Sequence, residues 1–171
     1  MKKFFVLILV LAAALTFYTT FSTAAEKFPL TDIVKFWSYI TKRNAYQGWG
    51  YWPGYYGIYP GKSPHGKYLK IYANSVALQA AREGRRMTTG AIIIKENYGA
   101  DKKTLMAITP MYKIKGYNPE GGDWFWAKLK PNGEPFLGPD GKTPLVGKVK
   151  GCVNCHGVQK NKDWLFITPK N

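Results

Sequence analysis

The chain has 171 residues, of which 25 are lysine or arginine and 10 are aspartate or glutamate, so its formal charge is +15. This length suits one domain with a modest core, and we expect no second domain. Such a charge usually suggests a nucleic acid or an anionic surface as partner. The lysines are scattered in ones and twos, however, which indicates a solvated basic surface.

The first 25 residues have the pattern of a secretory signal peptide. Lys2 and Lys3 precede an apolar run at residues 4–15. Residues 22–25 have the small side chains that are typical of a signal peptide cleavage site. An uncleaved anchor is the alternative, but the apolar run is short for a membrane span of about 20 residues. We expect residues 1–25 to be removed and residues 26–171 to form one exported domain, which excludes a nucleic acid partner and a membrane segment.

The first predicted element of the exported chain is a helix over residues 31–43. Thr31 is a good N-cap residue, and apolar side chains recur at i, i+3, i+4 and i+7 in Ile33, Phe36, Trp37 and Ile40. This spacing is typical of a helix packed on a core.

Residues 44–66 combine aromatic side chains with prolines and glycines. Proline and glycine oppose regular structure here, while the aromatic rings supply too much apolar area for a free linker. We interpret the stretch as an ordered loop packed on the domain or at a subunit contact. Its rings would form either a wall near the functional site or filler beneath a long loop.

The rest of the chain predicts mainly strands. Asn74 would cap a short helix ending near residue 83, and residues 90–96 are rich in β-branched side chains, as in a strand buried on both faces. Pro110 would break or bulge another strand. The predicted strands cover residues 67–73, 90–96, 104–114, 123–129 and 163–168. The expected fold class is α+β, mainly antiparallel sheet with two short helices.

Residues 151–157 read Gly-Cys-Val-Asn-Cys-His-Gly. Two cysteines separated by two residues and followed by histidine match a c-type haem attachment site, in which both thiols bond to the haem and the imidazole ligates iron. Cys152 and Cys155 are therefore the predicted tethers of one covalent haem c, and His156 is the iron ligand. Attachment of this kind takes place outside the bacterial cytoplasmic membrane, which agrees with export to the periplasm.

Two other readings of the motif fit less well. A redox disulfide is expected in a βαβ context near the start of a domain. A structural zinc ion needs four ligands, and beyond the motif the chain offers only His65.

A haem motif near the end of a sheet-rich chain resembles the cytochrome P-460 family and its relatives, the β-sheet cytochromes c′. The likeness is clearest in residues 70–72, 90–96 and 120–124 and in the haem motif. The resemblance implies a homodimer of mostly antiparallel sheets, each subunit holding one haem with histidine below and an exchangeable site above. Members with a lysine-to-haem cross-link oxidise hydroxylamine, with nitric oxide chemistry on the way to nitrous oxide. The cytochromes c′-β bind nitric oxide and carbon monoxide.

Lys95 matches the family lysine that becomes bonded to a haem meso carbon. In a strand, Ala91, Ile93 and Lys95 share one face, so this lysine emerges from an apolar row. Desolvation there would lower its pKa and free the amine as a nucleophile. The alternative is that Lys95 reaches solvent at the strand end, with Glu96 as an exposed neighbour.

The resemblance also places Glu120 where the cross-linked enzymes carry a pocket carboxylate, so it is the predicted catalytic base. Its turn sequence favours a solvated glutamate instead. Leu69 stands where the hydroxylamine-oxidising members have an arginine, and His65 would either restore a polar group or cap the loop. Any sixth iron ligand from methionine would come from Met87, Met106 or Met111, which more often fill cores.

Three hypotheses follow for function. The first is a hydroxylamine-oxidising enzyme with a Lys95-modified haem, the second a nitric oxide-binding protein without turnover, and the third a low-spin electron carrier with a strong sixth ligand. The presence of Lys95 favours the enzyme. The small nitrogenous ligand would be joined by a redox partner protein, acidic if the basic surface of this chain docks to it.

Overall fold

The structure is a computed structural model that describes residues 31–168. The predicted signal peptide, residues 1–25, lies outside the described residues. Within the described part of the chain, no helix combines the length and apolar character needed to span a membrane.

A seven-stranded antiparallel sheet forms the centre of the domain. Its spatial order is β1-β3-β4-β5-β6-β7, and β2 also pairs with β3. The strands are β1 (Gly50–Tyr51), β2 (Tyr59–Pro60), β3 (Tyr68–Ala73), β4 (Ile92–Tyr98), β5 (Leu105–Lys113), β6 (Trp124–Ala127) and β7 (Val146–Gly147). The helices are α1 (Ile33–Ser38), α2 (Ser75–Arg82) and α3 (Lys150–Gly157). The predicted α+β class is confirmed, with one α-helix more than expected, because the haem motif itself is helical.

Helix α1 begins one residue later than the sequence predicts. Asp32, not Thr31, is the N-cap, and its carboxylate accepts hydrogen bonds from the backbone N–H groups of Val34 and Lys35. A π-helical turn at Tyr39–Arg43 continues α1. The predicted apolar positions are correct, since Phe36 and Ile40 of this segment are fully buried.

The aromatic stretch at residues 44–66 is an ordered loop packed on the domain, as its composition predicts. It also contains two short strands and a 3-10 turn at Tyr46–Gly48, which the sequence did not predict. Tyr46 and Trp52 are buried in different cores. Tyr51 stacks on Tyr72 of β3 with ring centroids 5.0 Å apart. The rings of this stretch therefore fasten the loop to the sheet.

Pro110 lies inside β5, opposite Ile94 of β4, so the predicted break at Pro110 is wrong. The irregularity of this strand pair occurs instead at Asn97 and Tyr98, where the register shifts. The pairs that β5 forms with β6 begin at Met111. On that side the chain pairs again at Ile108 and Leu129, so Pro110 lies between two paired positions and its missing N–H leaves a local gap.

The predicted last strand at residues 163–168 is also wrong. Asp163 and Trp164 have positive φ angles of 57° and 63°, which a strand cannot accommodate. A 3-10 turn at Lys160–Lys162 precedes them. The segment instead bends back across α3.

Two apolar cores lie on opposite faces of the sheet, as the alternation along β4 requires. Ala91 and Ile93 belong to the first core, which includes α2 and extends to Cys152 of α3. Ile92 and Ile94 belong to the second core, which includes α1. The haem motif is therefore attached to one face of the sheet only.

Candidate haem site

The three chemical groups of the haem motif lie on α3. Cys152 and Cys155 are three positions apart, so their side chains are neighbours on one side of the helix. Cys152 is partly buried, Cys155 is exposed, and neither is in a disulfide. Burial raises the pKa of Cys152. Both sulfurs and the ring of His156 face one cavity.

His156 is held so that one particular nitrogen is free. The residue is 8% exposed, and its Nδ1 lies 2.7 Å from the backbone oxygen of Trp164. A carbonyl oxygen only accepts, so Nδ1 carries the hydrogen and Nε2 keeps its lone pair. Burial lowers the pKa of His156, which favours the neutral ring. A neutral imidazole with Nδ1 bonded to a carbonyl is the form that ligates metals.

The carbonyl that binds His156 is itself fixed by a buried ion pair. The Asp163 carboxylate accepts hydrogen bonds from the backbone N–H of Met87 and from Nζ of Lys113. Asp163 is only 4% exposed. These contacts hold the bend at Asp163 and Trp164 against the sheet, so residues far apart in sequence orient the histidine.

A cavity of about 490 Å³ lies between α3 and the sheet face that carries the first core. This volume is within the range of small-molecule and cofactor sites, about 300–1,000 Å³. Its walls are mainly apolar, including Ile93, Met111, Trp126, Leu145, Leu165 and Phe166. Beyond α3, its polar side chains are His65, Lys95, Thr109 and Lys128.

Lys95 extends from β4 into this cavity, on the face that the strand pattern predicts. Ile93 lines the same wall two residues earlier. Burial lowers the pKa of Lys95 to about 8, and the nearby Cys155 opposes this shift. In residues 31–168 no side chain or carbonyl accepts a hydrogen bond from its amine. The amine of Lys95 is therefore deprotonated more easily than that of an ordinary lysine.

His65 lies on the cavity wall, in the loop between β2 and β3. Its Nδ1 is 3.1 Å from Oδ1 of Asn97, and its ring centroid is 6.3 Å from that of His156. Burial, and then the charge of Lys95, lower its pKa to about 3, so the imidazole is neutral. The sequence singles out His65 only as a polar residue near the site, because its partner lies 32 residues further along the chain.

A model of the Cytochrome P460 family matches residues 43–167. The match covers more than half of the chain and includes the haem motif and every strand of the sheet. The chain belongs to the cytochrome P460 family. No curated protein matches the chain. It is therefore a c-type cytochrome of this family, whose cofactor is haem.

The residues around the cavity fit a cytochrome P460 haem. Nε1 of Trp126 is buried without a hydrogen bond partner in the described part of the chain, and Trp126 lines the cavity beside Lys128. An indole N–H and an ammonium group are suitable donors for the carboxylates of a haem. Among the described residues, no group of three or more His, Cys, Asp or Glu side chains could hold a metal ion.

The structure does not bring Glu120 to the cavity. Glu120 lies in the 3-10 turn Pro119–Gly121, where it is exposed, and it is outside the cavity lining. The turn that the sequence predicts is present, and the solvated position that it favours is the one observed. Glu120 thus stands apart from Lys95 and His156.

Of Leu69, Met87, Met106 and Met111, only Met111 lines the cavity. Leu69 is 5% exposed, and it packs close to the backbone of Gly61 in the loop that carries His65. Met87 is buried in the first core, Met106 is 54% exposed, and Met111 lines the cavity. The position of the absent arginine is thus covered by the loop of His65.

Glu96, expected to be exposed if Lys95 reaches solvent, is buried instead. It is 2% exposed, and its carboxylate accepts hydrogen bonds from the hydroxyls of Tyr46 at 2.7 Å and Tyr98 at 2.6 Å. Burial, followed by the Glu96 hydrogen bond, raises the pKa of both tyrosines. The sequence gives no sign of this cluster because Tyr46 is 50 residues away.

Proposed function

We propose that this chain is an exported cytochrome that oxidises hydroxylamine at a haem held by Cys152, Cys155 and His156 and modified by Lys95. The observation that carries the proposal is the position of Lys95. Its amine enters the cavity that the haem motif faces, has no hydrogen bond acceptor among the described residues, and has a pKa lowered to about 8. The members that this chain resembles carry their cross-linking lysine at the same place in the sequence.

The residues of the chain have separable roles in this proposal. When bound, the haem supplies an iron that coordinates hydroxylamine and accepts its electrons. Cys152 and Cys155 would tether the group, and Nε2 of His156 would ligate its iron. Ile93 and the ring of Trp126 give the cavity apolar walls, and a haem that filled the cavity would leave little room for bulk water beside them.

Lys95 contributes its amine as a nucleophile. An ordinary lysine with a pKa near 10.5 is almost entirely protonated at neutral pH, whereas a pKa of about 8 leaves a useful fraction neutral. Only the neutral amine has the lone pair needed to bond to a ring carbon. The new C–N bond replaces one N–H and one C–H bond, so two protons leave and two electrons pass to an added oxidant such as a peroxide. The cavity therefore favours the modification that distinguishes the hydroxylamine-oxidising members.

The proposal does not require Glu120 as the proton acceptor. Oxidation of hydroxylamine releases protons as well as electrons, and a general base must lie within hydrogen bond reach of its proton. Glu120 is exposed and outside the cavity lining. For Glu120 to act in catalysis, its carboxylate would thus have to reach the cavity of a second subunit.

The proposal includes two protein partners. A second copy of this chain would complete the homodimer that the resemblance implies. A redox protein must also take away the electrons, and the charge of +15 favours one with an acidic docking surface.

A second candidate function is the capture of nitric oxide without turnover. It is favoured by the cavity lining, which contains no carboxylate in the described residues. A wall of this kind suits a neutral diatomic ligand better than a polar substrate that must lose protons. The two candidates share the haem motif and differ in the use of Lys95.

The absorption spectrum of the reduced, haem-loaded protein tests the proposal. We expect a strongly red-shifted Soret band that survives denaturation, because an extra covalent bond outlasts the fold. The Lys95→Ala variant should lose this feature, and Lys128→Ala should keep it, since Lys128 is the other lysine of the cavity. Hydroxylamine should be oxidised by the proteins that show the red-shifted band and not by Lys95→Ala.

An ordinary c-type spectrum after denaturation of the wild-type protein would contradict the enzyme. In that case nitric oxide titration of the reduced protein becomes the deciding measurement. Tight binding that is equal in wild type and Lys95→Ala would establish the second candidate.

A further inference from the structure

We propose that His65 is a second axial ligand of the haem iron, on the side opposite His156. In the resting protein the iron would be held by two imidazoles of the same chain. This inference rests on the proposed haem site, and it goes beyond the proposed function because it concerns what occupies the sixth coordination position before any small molecule arrives.

The hydrogen bonds of Asn97 determine which nitrogen of His65 is free. The Asn97 side-chain NH2 donates to the backbone oxygens of Lys95 and Ala107, and the Oδ1 accepts from the backbone N–H of Gly66 at 3.2 Å. The amide orientation is therefore fixed. Since Oδ1 only accepts, Nδ1 of His65 must carry the hydrogen that it shares with Asn97 at 3.1 Å. Nε2 of His65 is left with its lone pair.

The two cavity histidines are thus prepared in the same way. His156 donates Nδ1–H to the Trp164 carbonyl and His65 donates Nδ1–H to the Asn97 amide oxygen. A ligating histidine almost always makes this second hydrogen bond, which fixes its tautomer and raises its basicity.

The distance between the rings suits a shared metal ion. The centroids of His65 and His156 are 6.3 Å apart, and the ring planes are at 89°. Two imidazoles bound on opposite sides of one metal ion, with metal–nitrogen bonds of about 2.0–2.1 Å, have centroids about 6 Å apart.

The loop of His65 is held close to the sheet, so this position is not accidental. Gly66 passes so near β4 that a Cβ atom on it would lie 2.6 Å from the backbone of Tyr98. Only glycine permits this approach. Gly61 donates its N–H to the backbone oxygen of Lys67, which closes the loop. His65 is thereby presented to the cavity from a short, anchored segment.

The consequence for function is competition at the iron. A small nitrogenous ligand would have to displace His65, so the fraction of protein with His65 dissociated sets the apparent affinity. The resting haem would be low-spin, unlike the open distal site that the family resemblance implies.

The spin state of the haem-loaded protein tests the inference. We expect the oxidised wild-type protein to be low-spin, with the highly anisotropic EPR signal that perpendicular imidazole planes produce. The His65→Ala variant should become high-spin, and free imidazole should restore its low-spin spectrum. Met111→Leu, which removes the other potential ligand that lines the cavity, should leave the spectrum unchanged.

Carbon monoxide binding to the reduced protein gives a second readout. The apparent affinity should rise about tenfold or more in His65→Ala, because the competing ligand is gone. A high-spin wild-type protein, or a low-spin spectrum that persists in His65→Ala, would overturn the inference. The Lys95→Ala variant separates the two proposals: it should remain low-spin whether or not Lys95 modifies the haem.

Discussion

Strand β4 carries one charged side chain on each face of the sheet. The side chain on one face has hydrogen bond partners, and the side chain on the other face has none among the described residues. Glu96, on the face of the second core, accepts hydrogen bonds from Tyr46 and Tyr98. Lys95, on the cavity face, has no hydrogen bond acceptor among the described residues. The two residues are adjacent in sequence, so the difference arises entirely from what each face packs against.

This difference separates a structural charge from a chemical one. A buried charged group is tolerated when hydrogen bonds satisfy it, and Glu96 meets this condition. A half-buried amine without an acceptor, such as Lys95 among the described residues, lowers stability and is expected where it has a function. We therefore expect substitutions on the Glu96 face to alter the free energy of unfolding, and substitutions on the cavity face to alter the attachment or spectrum of the haem.

The largest effect should come from removing both tethers. In the Cys152→Ser/Cys155→Ser variant we expect loss of all haem bonded through thioethers, measured by haem staining after a denaturing gel. Asn154→Ser, an exposed change between the cysteines, should retain full staining. Any staining left in the double variant would have to come from Lys95, and adding Lys95→Ala should abolish it.

Removing the Glu96 carboxylate tests the structural face. Glu96→Ala leaves two tyrosine hydroxyls without their acceptor, so we expect the free energy of unfolding to fall by about 2–4 kcal/mol. Denaturant titration measures this value. Glu134→Ala should change it by less than about 1 kcal/mol, since Glu134 forms only an exposed ion pair with Lys130. A changed haem spectrum in folded Glu96→Ala would show that the two faces are not independent.

The sequence predicts the cavity face of β4 better than the opposite face. The alternation of Ala91, Ile93 and Lys95 is local, so a period of two is enough to direct Lys95 toward the first core. The burial of Glu96 depends on Tyr46, which is 50 residues away. No local pattern contains that contact.

The same reasoning explains the strand that was wrongly predicted at residues 163–168. Its apolar residues suit a strand, but Asp163 is bonded to Lys113 and Met87, 50 and 76 residues away. These contacts impose the positive φ angles that end any extended structure. The haem motif, in contrast, is local and could be read directly, whereas the pairing of His65 with Asn97 could not.

Replacing Lys95 with an apolar residue should alter the pH dependence of stability. Because burial lowers the pKa of Lys95 from 10.5 to about 8, the folded state with a free amine binds fewer protons than the unfolded state between these values. Its free energy of unfolding should therefore rise with pH from about 8 to 10.5, by up to about 3 kcal/mol. Lys95→Met should remove that rise, and the exposed change Lys103→Met should not.

The same measurement reports on the cross-link. If the haem-loaded wild-type protein shows no such rise while Lys95 is unmodified by mass spectrometry, the amine is not desolvated and the contrast with Glu96 fails. If the rise is absent and Lys95 is bonded to the haem, the amine has been consumed, as the proposed function requires.

The smallest effect should come from Glu120. Its side chain is exposed in a turn, so Glu120→Gln should change the free energy of unfolding by less than about 0.5 kcal/mol. Hydroxylamine turnover should change by less than about twofold, whereas removal of a true general base costs about 100-fold or more. A loss of that size with unchanged stability would mean that Glu120 reaches a reacting group that the described subunit does not place near it. The cavity of a second subunit would then be the first place to look, and the contrast between the two faces of β4 would no longer contain all the chemistry of the site.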